Sequence, residues 1–197
     1  MYNLVLMSKE IQSRLLNTQA TPLEQLQILV TELPQREDAS APPAYLPTNG
    51  VAVELVTGHV RPHDDLDILV CDGKTKKWGE FDIFTPGDYL AGMKFNPEFF
   101  QTTAVEVPLL EGEEVYVVHP GIIMVQKATK YPYGGVDFPR KKDVEEVARI
   151  MTYWQHSAPN PESWDAIVDR SIKALPVHRR RPTTQSLNKI AKQLSRG

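Results

Sequence analysis

Apolar residues alternate with carboxylates along Asp65-Leu-Asp-Ile-Leu-Val70. In an extended chain Leu66, Ile68 and Val70 share one face, and Asp65 and Asp67 share the other, about 6.6 Å apart along the axis. The pattern predicts a strand with one packed face and one charged face, following a glycine-bearing helical segment. Apolar residues resume at Phe81-Asp82-Ile83-Phe84, after the turn-rich Asp72-Gly-Lys-Thr-Lys-Lys-Trp-Gly79. This arrangement predicts a hairpin turning near Lys74 and Thr75, which sets Asp67 opposite Asp82.

Helical spacing governs the flanks. Leu4, Ile11 and Leu15 predict a first helix. Thr21-Pro-Leu-Glu24 reads as a capping box with proline at the first helical position, and Leu23, Leu26, Val30 and Leu33 line one side of the helix it opens. Pro34 closes that helix, and the proline-rich residues 34–47 read as a linker or extended wrap. Glu111 to Pro120 predicts a hairpin ending before a helix. Val144, Val147, Ile150 and Met151 predict another helix, and Trp164, Ile167, Val168, Ile172 and Leu175 one more. Helices, a small mixed sheet and further helices make an α+β chain. Its expected divisions are N-terminal helices and linker over 1–47, a core over 48–150 and a C-terminal helical segment over 151–197.

Composition narrows the class. A chain of 197 residues, 41% hydrophobic, can bury one sizeable core and a small appendage. The single cysteine, Cys71, excludes an internal disulfide and a cysteine-based zinc site, and its place at a strand end predicts a small buried side chain. Neither a signal peptide nor a membrane span is legible, so a cytoplasmic protein without membrane contact is expected. The net charge of −3 is uneven: residues 178–197 carry Arg179, Arg180, Arg181, Lys189, Lys192 and Arg196 with no acid, which leaves −9 on the rest. A basic tail of this kind can contact RNA through its phosphates; a solvated terminal helix is the plainer reading.

Like charges on neighbouring strand positions repel unless water or a cation lies between them. Mg²⁺ suits such a pair, being held by one or two carboxylates together with substrate phosphates. Residues 48–70, Thr-Asn-Gly-Val-Ala-Val-Glu-Leu-Val-Thr-Gly-His-Val-Arg-Pro-His-Asp-Asp-Leu-Asp-Ile-Leu-Val, resemble the signature of the polymerase-beta-like nucleotidyltransferase superfamily. The nearest flavour is that of the aminoglycoside and lincosamide nucleotidyltransferases and the nucleotidyltransferase-like toxins. Those families read Gly-Gly or Gly-Ser, a short helix, then Arg-x-His-x-Asp-hydrophobic-Asp. Gly50, Ala52, Leu55, Gly58, Arg61, His63, Asp65 and Asp67 fall in place. Asn49 stands where the family has its first glycine, and asparagine tolerates the left-handed backbone such a turn needs. Weaker likeness extends to about residue 150, through Asp82, Lys127 and Arg140-Lys-Lys-Asp143.

The resemblance implies a Mg²⁺-dependent transfer of a nucleoside monophosphate from NTP to an acceptor that is a small molecule, RNA or a protein. Asp65, Asp67 and Asp82 would be the catalytic metal ligands, with Glu106 in reserve for the third. Asn49 and Gly50 would form the phosphate loop, with Arg61 and His63 beside the nucleotide. Lys127 and then Lys142 would face the leaving pyrophosphate. Plainer roles exist for each accessory residue: Arg61 and His63 as partners of Asp64 or a carbonyl, Lys127 as a lysine snorkelling from an apolar helix, Asp143 as a helix N-terminal charge, His119 as a structural turn residue. The competing reading is a non-catalytic, antitoxin-type binding protein that keeps the fold without nucleotide affinity. A nuclease built on the same acids is a third.

Overall fold

The computed structural model describes residues 20–59, 65–71, 82–90, 92–109, 112–130, 141–157 and 161–195. The expected helix around Leu4, Ile11 and Leu15 and the candidates Arg61 and His63 lie outside them. The chain is α+β and divides by its contacts into two compact units, Met1–Asp88 with Phe95–His119, and Tyr89–Lys94 with Pro120–Gly197.

In the first unit, helix α1 (Pro22–Glu32) starts as its sequence predicts. Thr21 accepts from the Glu24 amide, Glu24 reaches back to the Thr21 amide, and Pro22 fills the first turn. Leu26, Leu29 and Val30 form its buried side. Strand β1 (Tyr45–Pro47) follows, then helix α2 (Asn49–Thr57), strand β2 (Asp67–Val70) and strand β3 (Asp82–Phe84). They form a three-stranded sheet in the order β1-β2-β3.

Two expectations change here. Residues 45–47 are a strand, with Tyr45, Leu46 and Pro47 all buried, rather than part of a linker. Pairing with Val70, Leu69 and Ile68 satisfies their backbone, a long-range gain that proline counting does not register. The second change concerns β2 and β3, which pair in parallel and so form no hairpin. Asp67 still pairs with Asp82, Ile68 with Ile83 and Leu69 with Phe84. A central β2 is packed on both faces, so Leu69, on the side of Asp67, is as buried as Ile68. Cys71 at its end is only half-buried, less enclosed than expected.

Helix α3 (Pro97–Thr102), within the same unit, packs Phe99 and Phe100 inward, and Phe100 meets Phe95 edge to face at 5.0 Å. Strands β4 (Tyr89–Leu90) and β5 (Met93–Lys94), which belong to the second unit, form a small antiparallel pair. In the first unit β6 (Val105–Pro108) and β7 (Glu114–Val117) form a hairpin, with Val107 opposite Val115; only its second strand falls within the expected Glu111–Pro120. It is joined to β1 through Gln35, whose buried amide donates to the carbonyls of Tyr45 (2.9 Å) and Tyr116 (2.8 Å) and accepts from the Tyr116 N–H (2.6 Å).

The second unit is helical. Helix α4 (Pro120–Lys130) is enclosed almost all round, Ile122 to Thr129 being buried without interruption, as suits a helix at the centre of a bundle. Helices α5 (Lys141–His156), α6 (Pro161–Ala174) and α7 (Val177–Leu194) surround it. Val147, Ile150 and Met151 of α5, Trp164 and Val168 of α6, and Leu187 and Ile190 of α7 supply the apolar faces. The hydroxyls of Thr129 and Thr183, both fully buried, lie 3.1 Å apart between α4 and α7.

Candidate functional site

The turn from β1 into α2 is held against the start of β2. The Thr48 N–H donates to the Asp67 carbonyl at 3.0 Å. Asn49 follows at φ 53°, in the left-handed region, and it is the one non-glycine residue among those described to adopt it. From there its amide nitrogen donates to the Asp67 carboxylate at 2.6 Å. Main chain and side chain of this turn thus both register on one aspartate.

Helix α2 begins at this turn. Thr48 occupies its cap position yet makes no capping bond, and its buried hydroxyl oxygen has no hydrogen-bond partner among the described residues. The first turn itself carries no acidic residue, and the negative charge placed at this helix end is that of Asp67. Free N–H groups at such an end favour an anion. Gly58 ends the helix at φ 68°, a conformation natural to glycine.

Three aspartates lie at or near the start of β2 and β3. Asp67 opens β2 and is half-buried, Asp65 is exposed two residues earlier, and Asp82 opens β3 at the register position opposite Asp67. Hard carboxylate oxygens are the donor type that Mg²⁺ takes, so Asp65 and Asp67 fit that ion chemically. Among the described residues no group of three His, Cys, Asp or Glu side chains is placed to hold a metal. Glu106, the reserve third carboxylate, stands elsewhere, exposed on β6 opposite Tyr116. Its hydrogen bond to the Tyr116 hydroxyl raises that phenol above its usual range.

The lysines and Asp143 belong to the second unit. Lys127 is buried, and its ammonium lies 2.9 Å from Glu146 and 3.6 Å from Asp143, both buried on α5. It does not snorkel to water, because α4 is covered on every side. Asp143 lies in the first turn of α5, as expected of a helix N-terminal charge, and is buried there, 2% exposed. Lys142 is exposed. Glu146 was not singled out by its sequence context, although the signal exists: Asp143, Glu146, Val147 and Ile150 follow the helical spacing of one buried face, so two acids sit inside an apolar stripe.

His119 is buried at the end of the first unit, as a structural residue would be, and burial pushes its imidazole down to about 4. Burial likewise pushes the Tyr45 phenol up, and its hydroxyl donates to the Leu33 carbonyl at 2.7 Å. Among the described residues no helix is long and apolar enough to cross a membrane. Neither a protein-family model nor a curated protein matches the chain in comparison.

Proposed function

We propose that the chain is a Mg²⁺-dependent nucleotidyltransferase of the polymerase-beta-like type, moving a nucleoside monophosphate from NTP to a hydroxyl or phosphate acceptor. The observation that carries this reading is the hydrogen bond from Asn49 to Asp67. It ties a left-handed turn at a helix N-terminus to an aspartate whose strand partner is Asp82. An anion-favouring helix end beside a pair of metal-type carboxylate positions is what a metal–triphosphate substrate requires.

Asp65, Asp67 and Asp82 would hold the metal, whose chemistry is to stabilise charge on the attacking and leaving oxygens of an in-line displacement. Asn49 orients Asp67, and the N–H groups of α2 bind phosphate. Lys127, offered by the resemblance for the leaving pyrophosphate, has its ammonium engaged by Glu146 and Asp143. The competing reading, a non-catalytic binding protein, draws on the same bond: an amide donor already occupies one oxygen of Asp67.

Thermal unfolding with each of the four NTPs, with and without Mg²⁺, separates the two. Saturating ligand at about 100 times its dissociation constant adds about 2.7 kcal/mol to stability. An enzyme shows a Mg²⁺-dependent rise in Tm that Asp65→Ala/Asp67→Ala abolishes. Absence of any shift in folded wild-type protein overturns the reading in favour of the non-catalytic one.

A further inference from the structure

Helix α7 carries five cations, Arg179, Arg180, Arg181, Lys189 and Lys192, and no aspartate or glutamate. Folding sorts them. Thr183, Ser186, Leu187 and Ile190 turn inward, and Arg180 uses its Nε to bond the Leu175 carbonyl at 2.9 Å. Among the exposed residues of the helix, His178, Arg181, Gln185, Asn188, Lys189 and Lys192 follow three- and four-residue steps along one side, while Val177, Thr184, Gln193 and Leu194 are exposed beside them. That side therefore presents cations separated by amides and an imidazole.

Two shallow grooves, each of about 470 Å³, flank the stripe and share Asn188 and Lys192. One is completed by Gln155 and His156 of α5, the other by Gln185, Lys189 and Gln193. No carboxylate is among the described residues lining either groove. The described linings of these grooves are thus basic and amide-bearing, on a protein whose remaining sequence is acidic.

We propose that this face of α7 binds the phosphate backbone of a nucleic acid, with the amides of Gln185, Asn188 and Gln193 reaching sugar or base edges. Charge complementarity selects a polyanion, and the spread of the cations selects an extended one. Arg181 to Lys192 spans about 16 Å of helix rise, or about five nucleotide steps at ~3.4 Å along a strand. The amides of the stripe suit a strand with hydrogen-bonding edges; Val177 and Leu194 of the same helix are exposed apolar residues, so a lipid surface is an arm of the test. This binding face is independent of nucleotidyl transfer and stands whether or not the chain is an enzyme.

The test uses the full chain and fluorescence anisotropy with a labelled 20-nucleotide single-stranded RNA, the DNA of the same sequence and its duplex. With three phosphates neutralised, affinity for a single strand falls about 20-fold between 50 and 200 mM salt, and for a duplex about 40-fold. Arg181→Glu/Lys189→Glu/Lys192→Glu should weaken binding at least tenfold. A variant of equal charge change at exposed sites of the same unit, Lys94→Glu/Lys141→Glu/Lys173→Glu, should stay within threefold of wild type. The glutamine triple at 181, 189 and 192 serves if the glutamate triple does not fold. RNA or DNA as the tighter ligand names the source of the backbone, and either supports the proposal. Equal losses in the stripe variant and its charge-matched control overturn it. So does a wild type that binds no nucleic acid at 50 mM salt, or that binds phosphatidylserine vesicles instead.

Discussion

The carboxamide of Gln35 meets the main chain of Tyr116 as donor and acceptor at once, at 2.8 and 2.6 Å, while a second donation reaches the Tyr45 carbonyl at 2.9 Å. One buried side chain thereby does for β1 and β7 what a stretch of shared ladder would do. Arg36, next in sequence, lies 3.6 Å over the Tyr116 ring and covers the same junction from outside.

Gln35→Ala leaves three main-chain groups without these partners. The expected loss is about 2–4 kcal/mol by urea unfolding, from net hydrogen-bond values of about 1 kcal/mol and a larger penalty for orphaned buried groups. Gln35→Glu should do no better at pH 7. A carboxylate accepts from the Tyr116 N–H but faces two carbonyl oxygens with nothing to donate. A Gln35→Ala protein as stable as wild type would show that the two elements do not need this bridge.

Asn49 combines a backbone role and a side-chain role that substitution can separate. Asn49→Gly keeps the left-handed turn and removes the bond to Asp67; Asn49→Ala removes the bond and adds about 1–2 kcal/mol of strain at positive φ. Stability by urea unfolding should therefore fall in the order wild type, Asn49→Gly, Asn49→Ala. Equal stability of the two variants would mean that the turn relaxes out of φ 53° at no cost.

Lys127 is enclosed with two acids, so its removal strands negative charge. Lys127→Met should lose about 3–5 kcal/mol, the range for breaking a buried ion pair from one side. Adding Glu146→Gln to Lys127→Met should recover part of that loss, since Glu146 makes the shorter contact. A double-mutant cycle reads the coupling directly. Additive effects would show that the buried charges are screened from each other.

His119 makes stability depend on pH. Burial holds its folded-state imidazole at about 4, below the usual 6.5, so the unfolded chain takes up a proton that the folded one refuses. The contribution is intact above about pH 6.5 and is lost as pH falls toward 4, by about 3 kcal/mol in all. His119→Gln should flatten this part of the curve of unfolding free energy against pH. A wild-type curve that is level from pH 7 to 4.5 would show that the imidazole charges freely in the fold.

Local chemistry was legible in the chain. The capping box of Thr21 and Glu24 announces α1, alternation announces β2, and the asparagine at 49 sits where a left-handed turn is needed. Each of these signals acts over a few residues, through one dihedral, one cap or one strand face. The exposed cations of α7 were visible as composition, though not as one side of a helix.

Partners distant in sequence were decided by tertiary structure. Whether β2 and β3 run parallel depends on the path of the chain between them, and both directions can set Asp67 against Asp82. Tyr45–Pro47 becomes a strand because Val70, Leu69 and Ile68 offer it a ladder. Gln35 reads as one polar residue between prolines until Tyr116, 81 positions on, supplies its partner groups. Lys127, Asp143 and Glu146 were each visible as charges, but only the packing of α5 onto α4 takes them out of water together. Periodicity along the chain says which residues can share a face; the free energy that assigns each face its neighbour arises only when distant segments meet.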